Sequence, residues 1–152
     1  MTSYVSVIGP GDAATAEDVD HARRAGNLLA RAGHVVITGG LNGVMEAAAD
    51  GVRAAGGTAL ALLPGRNRDD ASPGHSIVIP TGMGEMRNAL VVRAADAILA
   101  IGGSWGTMSE LSLALRTGVP VVALGGWEMP APGVEEASSV EDAIRRIGRV
   151  LP

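Results

Sequence analysis

Two stretches of the chain repeat one pattern. Gly39-Gly40-Leu41-Asn42-Gly43-Val44-Met45 and Gly102-Gly103-Ser104-Trp105-Gly106-Thr107-Met108 both read G-G-x-x-G-x-M. Each follows an apolar run and opens a helical pattern, the setting in which backbone N–H groups and the positive helix end receive an anion. Glycine there lets the backbone approach a phosphate without a Cβ in the way. Thr107 and Ser104 add hydroxyl donors, and Gly9 and Gly11 close another apolar run in the same manner. Glu110 lies one turn into the helix after the second copy, and Glu46 holds the comparable place after the first. A carboxylate repels a phosphate bound at the loop. Each of these two therefore either addresses another part of a ligand, such as a sugar hydroxyl or a developing cation, or is an ordinary first-turn acid. Arg87 stands before the apolar stretch Ala89 to Val92, where a guanidinium is either paired or reaching for an anion.

Composition narrows the chemistry around these residues. The 152 residues include 12 cations and 16 acids, a formal net charge of -4, which does not favour a nucleic-acid partner. Aromatics are 2% of the chain with no Phe, too few for a base-stacking RNA surface. Cys is absent, which removes disulfides, thiolate catalysis and thiolate metal sites. Lys is absent too, so neither a Schiff base nor a Walker-type P-loop can form, and any phosphate must be held by Arg and backbone N–H groups. His21, His34 and His75 lack the spacing of a metal pair, and no metal site is expected. No basic region precedes the first apolar run, and no apolar run approaches the ~20 residues a bilayer requires. A cytoplasmic protein without membrane association is the expectation.

The elements that must position these residues alternate strand and helix. Strands are predicted at 5–8, 35–37, 58–63, 76–79, 97–101 and 119–124. Helices are predicted at 15–32, 42–55, 84–95, 104–117 and 139–150, with Thr15 and Asp18 spaced as a capping box. Residues 64–75 and 126–137 read as loops. The strands are continuous apolar runs, the mark of a parallel sheet covered on both faces. One doubly wound, Rossmann-like α/β domain of about six mostly parallel strands, spanning 1–152, is expected. In that architecture ligands bind outside the carboxyl ends of the strands, where the glycine clusters fall.

Met83 to Leu115, with Met86-Arg87-Asn88 and the run Ile101-Gly102-Gly103-Ser104-Trp105-Gly106-Thr107-Met108-Ser109-Glu110, resembles the LONELY GUY-like superfamily, older members of which were called lysine decarboxylases. The likeness extends through Gly39-Gly40 to Met45-Glu46. The family hallmark is a Pro-Gly-Gly-x-Gly-Thr-x-x-Glu run preceded by an Arg-Lys pair. The resemblance implies a phosphate loop at Gly102, Gly103, Gly106 and Thr107 with Glu110, and a catalytic role for Arg87. Ile101 stands in place of the leading Pro, Asn88 in place of the Lys, and Met86 in place of an acid. These departures bear on catalysis more than on binding. The Ile-Gly-Gly-Ser-Trp-Gly-Thr form is closer to a short branch of molybdenum-cofactor carrier proteins, which bind a phosphorylated pterin. The missing Lys excludes a pyridoxal-type decarboxylase on chemical grounds.

Two function classes follow. A carrier would hold a nucleoside monophosphate or a molybdopterin-type ligand at the rim, with no further cofactor required. A phosphoribohydrolase would cleave a nucleoside 5′-monophosphate of the cytokinin riboside type to base and ribose 5-phosphate, with Glu110 facing the cationic carbon and Arg87 orienting the ligand. A redox Rossmann enzyme is the third alternative, and there Gly9-Pro10-Gly11-Asp12-Ala13-Ala14 has Ala where a third Gly belongs. The 84–95 and 104–117 segments are apolar on more than one side, which predicts a homodimer or higher homo-oligomer.

Overall fold

The computed structural model describes residues 2–152, and among them seven strands form one parallel sheet. The elements in order are β1 (Tyr4–Ile8), α1 (Ala16–Arg31), β2 (Val35–Thr38), α2 (Val44–Ala54), β3 (Ala59–Leu63), β4 (Ile77–Pro80), α3 (Asn88–Arg93), β5 (Ala97–Ile101), α4 (Trp105–Thr117), β6 (Val121–Leu124), β7 (Val134–Glu136) and α5 (Val140–Val150). The strand order is β4-β3-β2-β1-β5-β6-β7.

The apolar runs divide between two faces with the period of 2 that a strand imposes. Val5, Val7, Leu99 and Ile101 join α1, α2 and α5 in one core. Ile8, Ile98 and Ala100 join Val91 and Val92 of α3 and Leu111 and Ala114 of α4 in the other. Winding therefore reverses between β1 and β5, and the crevice at their carboxyl ends is the switch point where such sheets bind ligands.

Local chemistry sets the helix ends. Thr15 Oγ1 accepts from Asp18 N at 3.0 Å and Asp18 Oδ2 accepts from Thr15 N at 3.0 Å, the capping box expected at the start of α1. Gly118 ends α4 in the left-handed conformation at φ 77°.

Two expectations are corrected. The 84–95 segment is not one helix: Gly84–Arg87 forms a 3-10 turn and α3 begins at Asn88. Gly84 at φ 59° and the Met86 N–H donation to the Met83 carbonyl at 3.3 Å wind that turn tightly. The 126–137 loop contains β7, an edge strand paired with β6 from Val121↔Val134 to Ala123↔Glu136. Its three residues are too few, and too polar, to show periodicity. No helix among the described residues is long and apolar enough to cross a membrane.

Candidate functional site

Arg87, buried at 8% exposure, is carried inward by the 3-10 turn. Its Nε donates to the Leu62 carbonyl at 2.8 Å, Nη2 to the Gly39 carbonyl at 3.2 Å, and Nη1 to Asn88 Oδ1. Three of the five guanidinium N–H groups are thus anchored, and two remain. Glu110, one turn into α4, is 7% exposed. It forms no ion pair with Arg87 or any other described residue, yet the two charges face one hollow of about 160 Å³. Burial pushes the Glu110 carboxyl up to about 7, while Arg87 opposes the rise. Burial likewise lowers the Arg87 value, with Glu110 pulling it back up.

Gly9, Gly11, Met45, Asn88, Ser104, Gly106 and Thr107 complete the lining, so the β1 and β5 loops meet there as the switch-point geometry requires. Ser104 caps α4: its Oγ accepts from Thr107 N at 3.2 Å and lies 2.9 Å from Thr107 Oγ1. One proton of this hydroxyl pair binds the other oxygen, and the second proton stays free. The N–H groups of Trp105 and Gly106, in the first turn, have no intrahelical acceptor. At Gly9 a Cβ would collide with the Ile101 carbonyl, and at Gly11 it would stand 2.6 Å from Asn42 Oδ1. These two glycines let the loops close together.

The two copies of the glycine pattern do different work. The first lends only Met45 to the lining of the hollow, and its glycines stand behind it. A Cβ on Gly39 would sit 2.5 Å from Arg87 Nη2, so Gly39 makes room for the guanidinium. The Gly40 N–H is already engaged by Thr38 Oγ1 at 2.9 Å. Gly43, at φ 65°, packs on the backbone of Pro10 and Gly11. Glu46 looks elsewhere, into a separate depression with Asp12, Asn42 and Asp70. In the second copy, Gly102 and Gly103 line a separate groove, while Ser104, Gly106 and Thr107 line the hollow.

Sequence reading missed four participants. Asn88 both receives Arg87 and donates to Ser109 Oγ at 3.2 Å. Buried His75 holds Thr38 Oγ1 at 2.6 Å and Ser72 Oγ at 3.0 Å, bracing the Gly39-Gly40 turn from below. Trp105 and Trp127, the chain's two tryptophans, pack edge to face with ring centres 5.0 Å apart. Their signal was present: each follows a glycine pair at a strand's carboxyl end.

Comparison with known proteins follows the same lines. The family described as SLOG cluster4 matches residues 2–148. An uncharacterised protein of Archaeoglobus fulgidus is 43% identical over 120 residues, 79% of this chain and 78% of that protein. The molybdenum cofactor binding protein of Rippkaea orientalis superposes with a TM-score of 0.92 at 35% identity, covering 99% of this chain and 98% of the other. The Moco carrier protein of Chlamydomonas reinhardtii gives 0.90 at 31%, with coverage of 99% and 98%.

Proposed function

This chain belongs to the SLOG cluster4 family, and from that premise we propose that it is a carrier for a phosphorylated, nucleotide-like ligand, a nucleoside monophosphate or a phosphorylated pterin of the molybdopterin type. The observation that carries the reading is the hollow at the β1/β5 crevice, where Arg87 keeps two N–H donors beside the open first turn of α4. Backbone N–H groups of Trp105 and Gly106, the remaining hydroxyl proton of the Ser104–Thr107 pair and the positive end of α4 receive the phosphate. Arg87 supplies the neutralising charge as a charge-assisted donor. Glu110, at the hollow's other wall, accepts from a ligand hydroxyl. The molybdenum cofactor that similar proteins of Rippkaea and Chlamydomonas are named for binding is a ligand of this kind.

One observation favours a second reading. A buried carboxyl raised to about 7 is suited to proton transfer near neutrality. In a phosphoribohydrolase, water would add to C1′ of a bound nucleoside monophosphate, the C1′–N bond would break, and the base would leave with a proton. Glu110 would stabilise the cationic carbon when ionised and return the proton when neutral.

Calorimetry with nucleoside monophosphates, run beside an assay for free base, separates the readings. Wild-type protein binds without releasing base, and Arg87→Ala weakens binding by about 10- to 100-fold, as loss of a charged hydrogen bond requires. Unchanged affinity in that variant removes the phosphate reading. Base release by wild type that is lost in Glu110→Gln establishes the hydrolase instead.

The proposed functional unit is a homo-oligomer. Met86, 72% exposed, and Trp105, 81% exposed, line one hollow beside the α3–α4 face, an apolar surface a second copy would cover.

A further inference from the structure

A hollow of about 160 Å³ lies below the roughly 300–1,000 Å³ of small-molecule sites. It accommodates a phosphate with part of a sugar. The rest of a nucleotide-sized ligand must lie elsewhere, and Gly102-Gly103, which run into Ser104 at the wall of the hollow, also line a groove of about 800 Å³. Its walls are the first turns of α1 and α5, the ends of β5 and β6, and Trp127.

Charge decides which end of a ligand belongs there. Glu17, Asp18, Asp20 and Glu141 outnumber His21 and Arg24 along the groove, and Arg24 is already ion-paired to Glu141. Such a wall repels phosphate and accepts hydrogen bonds from ring N–H and amino groups. The floor is shaped for close approach. Gly102 at φ 69° has Asp18 Oδ2 2.8 Å from where a Cβ would stand, and a Cβ on Gly103 would stand 2.7 Å from Trp127 Cδ1. Trp127 therefore lies flush on the turn, braced edge to face by Trp105 at an interplanar angle of 80°. A chain with 2% aromatics has placed both its indoles at the lip of one turn, Trp105 81% and Trp127 44% exposed. Neither sits in the core, so burial does not explain the pair.

We infer that Trp127 is the stacking platform for the planar, amino-bearing heterocycle of the ligand, which straddles the Gly102-Gly103 turn with its phosphate in the Arg87 hollow and its ring in the acidic groove. This inference rests on the phosphate reading above and adds its ligand class: amino-substituted aromatic heterocycles, as distinct from sugar phosphates alone. Stacking of one base on an aromatic side chain is typically worth a factor of about 5 to 150 in affinity. The Met86-lined hollow on Trp105's other side is the competing location.

The test compares GMP with ribose 5-phosphate, which lacks the ring, by calorimetry and tryptophan fluorescence. GMP should bind at least about fivefold more tightly. Trp127→Ala should reduce GMP to the affinity of ribose 5-phosphate and leave ribose 5-phosphate unchanged, while Trp127→Phe should keep most of the preference. In Trp105→Phe, where Trp127 is the sole tryptophan, GMP should quench the indole emission and ribose 5-phosphate should not. Equal binding of the two ligands, or GMP affinity indifferent to Trp127→Ala, overturns the platform and leaves the phosphate site standing. Quenching confined to Trp105 moves the ring to the competing hollow and also overturns it. If neither ligand binds, the phosphate reading itself fails and the platform falls with it.

Discussion

Glu110 and Arg87 are each held away from water without forming an ion pair, and this burial has a measurable consequence. A carboxyl raised by burial from the ordinary 4.5 to about 7 keeps its proton across an interval in which the unfolded chain has released it. The stability it contributes is therefore full below about 4.5 and is lost as pH rises towards 7. His75 works in the opposite sense. Burial lowers its value, Ser72, Asp50 and Glu46 partly offsetting this, so its contribution is complete above the ordinary 6.5 and fades as pH falls. Only a difference between variants isolates Glu110. Glu110→Gln keeps the shape and removes the titration. Free energies of unfolding from urea titrations should show this variant gaining about 2–4 kcal/mol on wild type between pH 4.5 and pH 8. Parallel profiles for the two proteins would show that the carboxyl is not desolvated.

At the scale of elements, glycine placement has opposite signs in different helices. Gly51 lies inside α2 where a Cβ would run into the Arg23 backbone of α1, and Gly26 of α1 meets the Ala48 backbone in the same way. The two helices cross at backbone contact. Alanine at Gly51 gains helix propensity of about 1 kcal/mol but forces the helices apart, so Gly51→Ala should destabilise by more than that gain. Gly148, exposed in α5, has nothing within 4 Å of a Cβ. There the propensity gain is unopposed, and Gly148→Ala should raise the free energy of unfolding in urea titrations by about 0.5–1 kcal/mol. Six of the strands and the ends of most helices were legible because apolar runs, glycine stops and the Thr15–Asp18 cap act locally. The break at Arg87 was not, since a helix-like apolar pattern conceals a 3-10 turn that a carbonyl at Leu62 and another at Gly39 hold in place. Nor was β7, whose pairing comes from β6 and not from its own residues.

At the scale of the molecule, the reversal of winding between β1 and β5 opens the crevice, and the two sides of the sheet then differ in use. The α1–α5 side carries the acidic groove, and the α3–α4 side carries exposed Met86 and Trp105. If that second face meets a copy of itself, light scattering at micromolar concentration should give at least twice the 15.3 kDa of one chain. Met86→Glu, which puts a charge into the contact, should shift the mass towards that of one chain. A wild-type protein that stays monomeric would leave the apolar face unexplained by self-association.

By itself the sequence determined the α/β class and the exclusion of lysine and thiol chemistry, and it singled out the glycine-rich turn at 102–107. Each of these follows from residue type or from neighbours within a few positions, where conformation is local. Tertiary structure decided that Arg87, Glu110 and Ser104–Thr107 share one hollow, that the Gly39–Gly43 copy stands behind it, and that Glu46 faces away. Such groupings depend on which strands become neighbours and on the direction in which the sheet winds. Neither is written into the spacing of a motif, because the burial of two separate cores selects them.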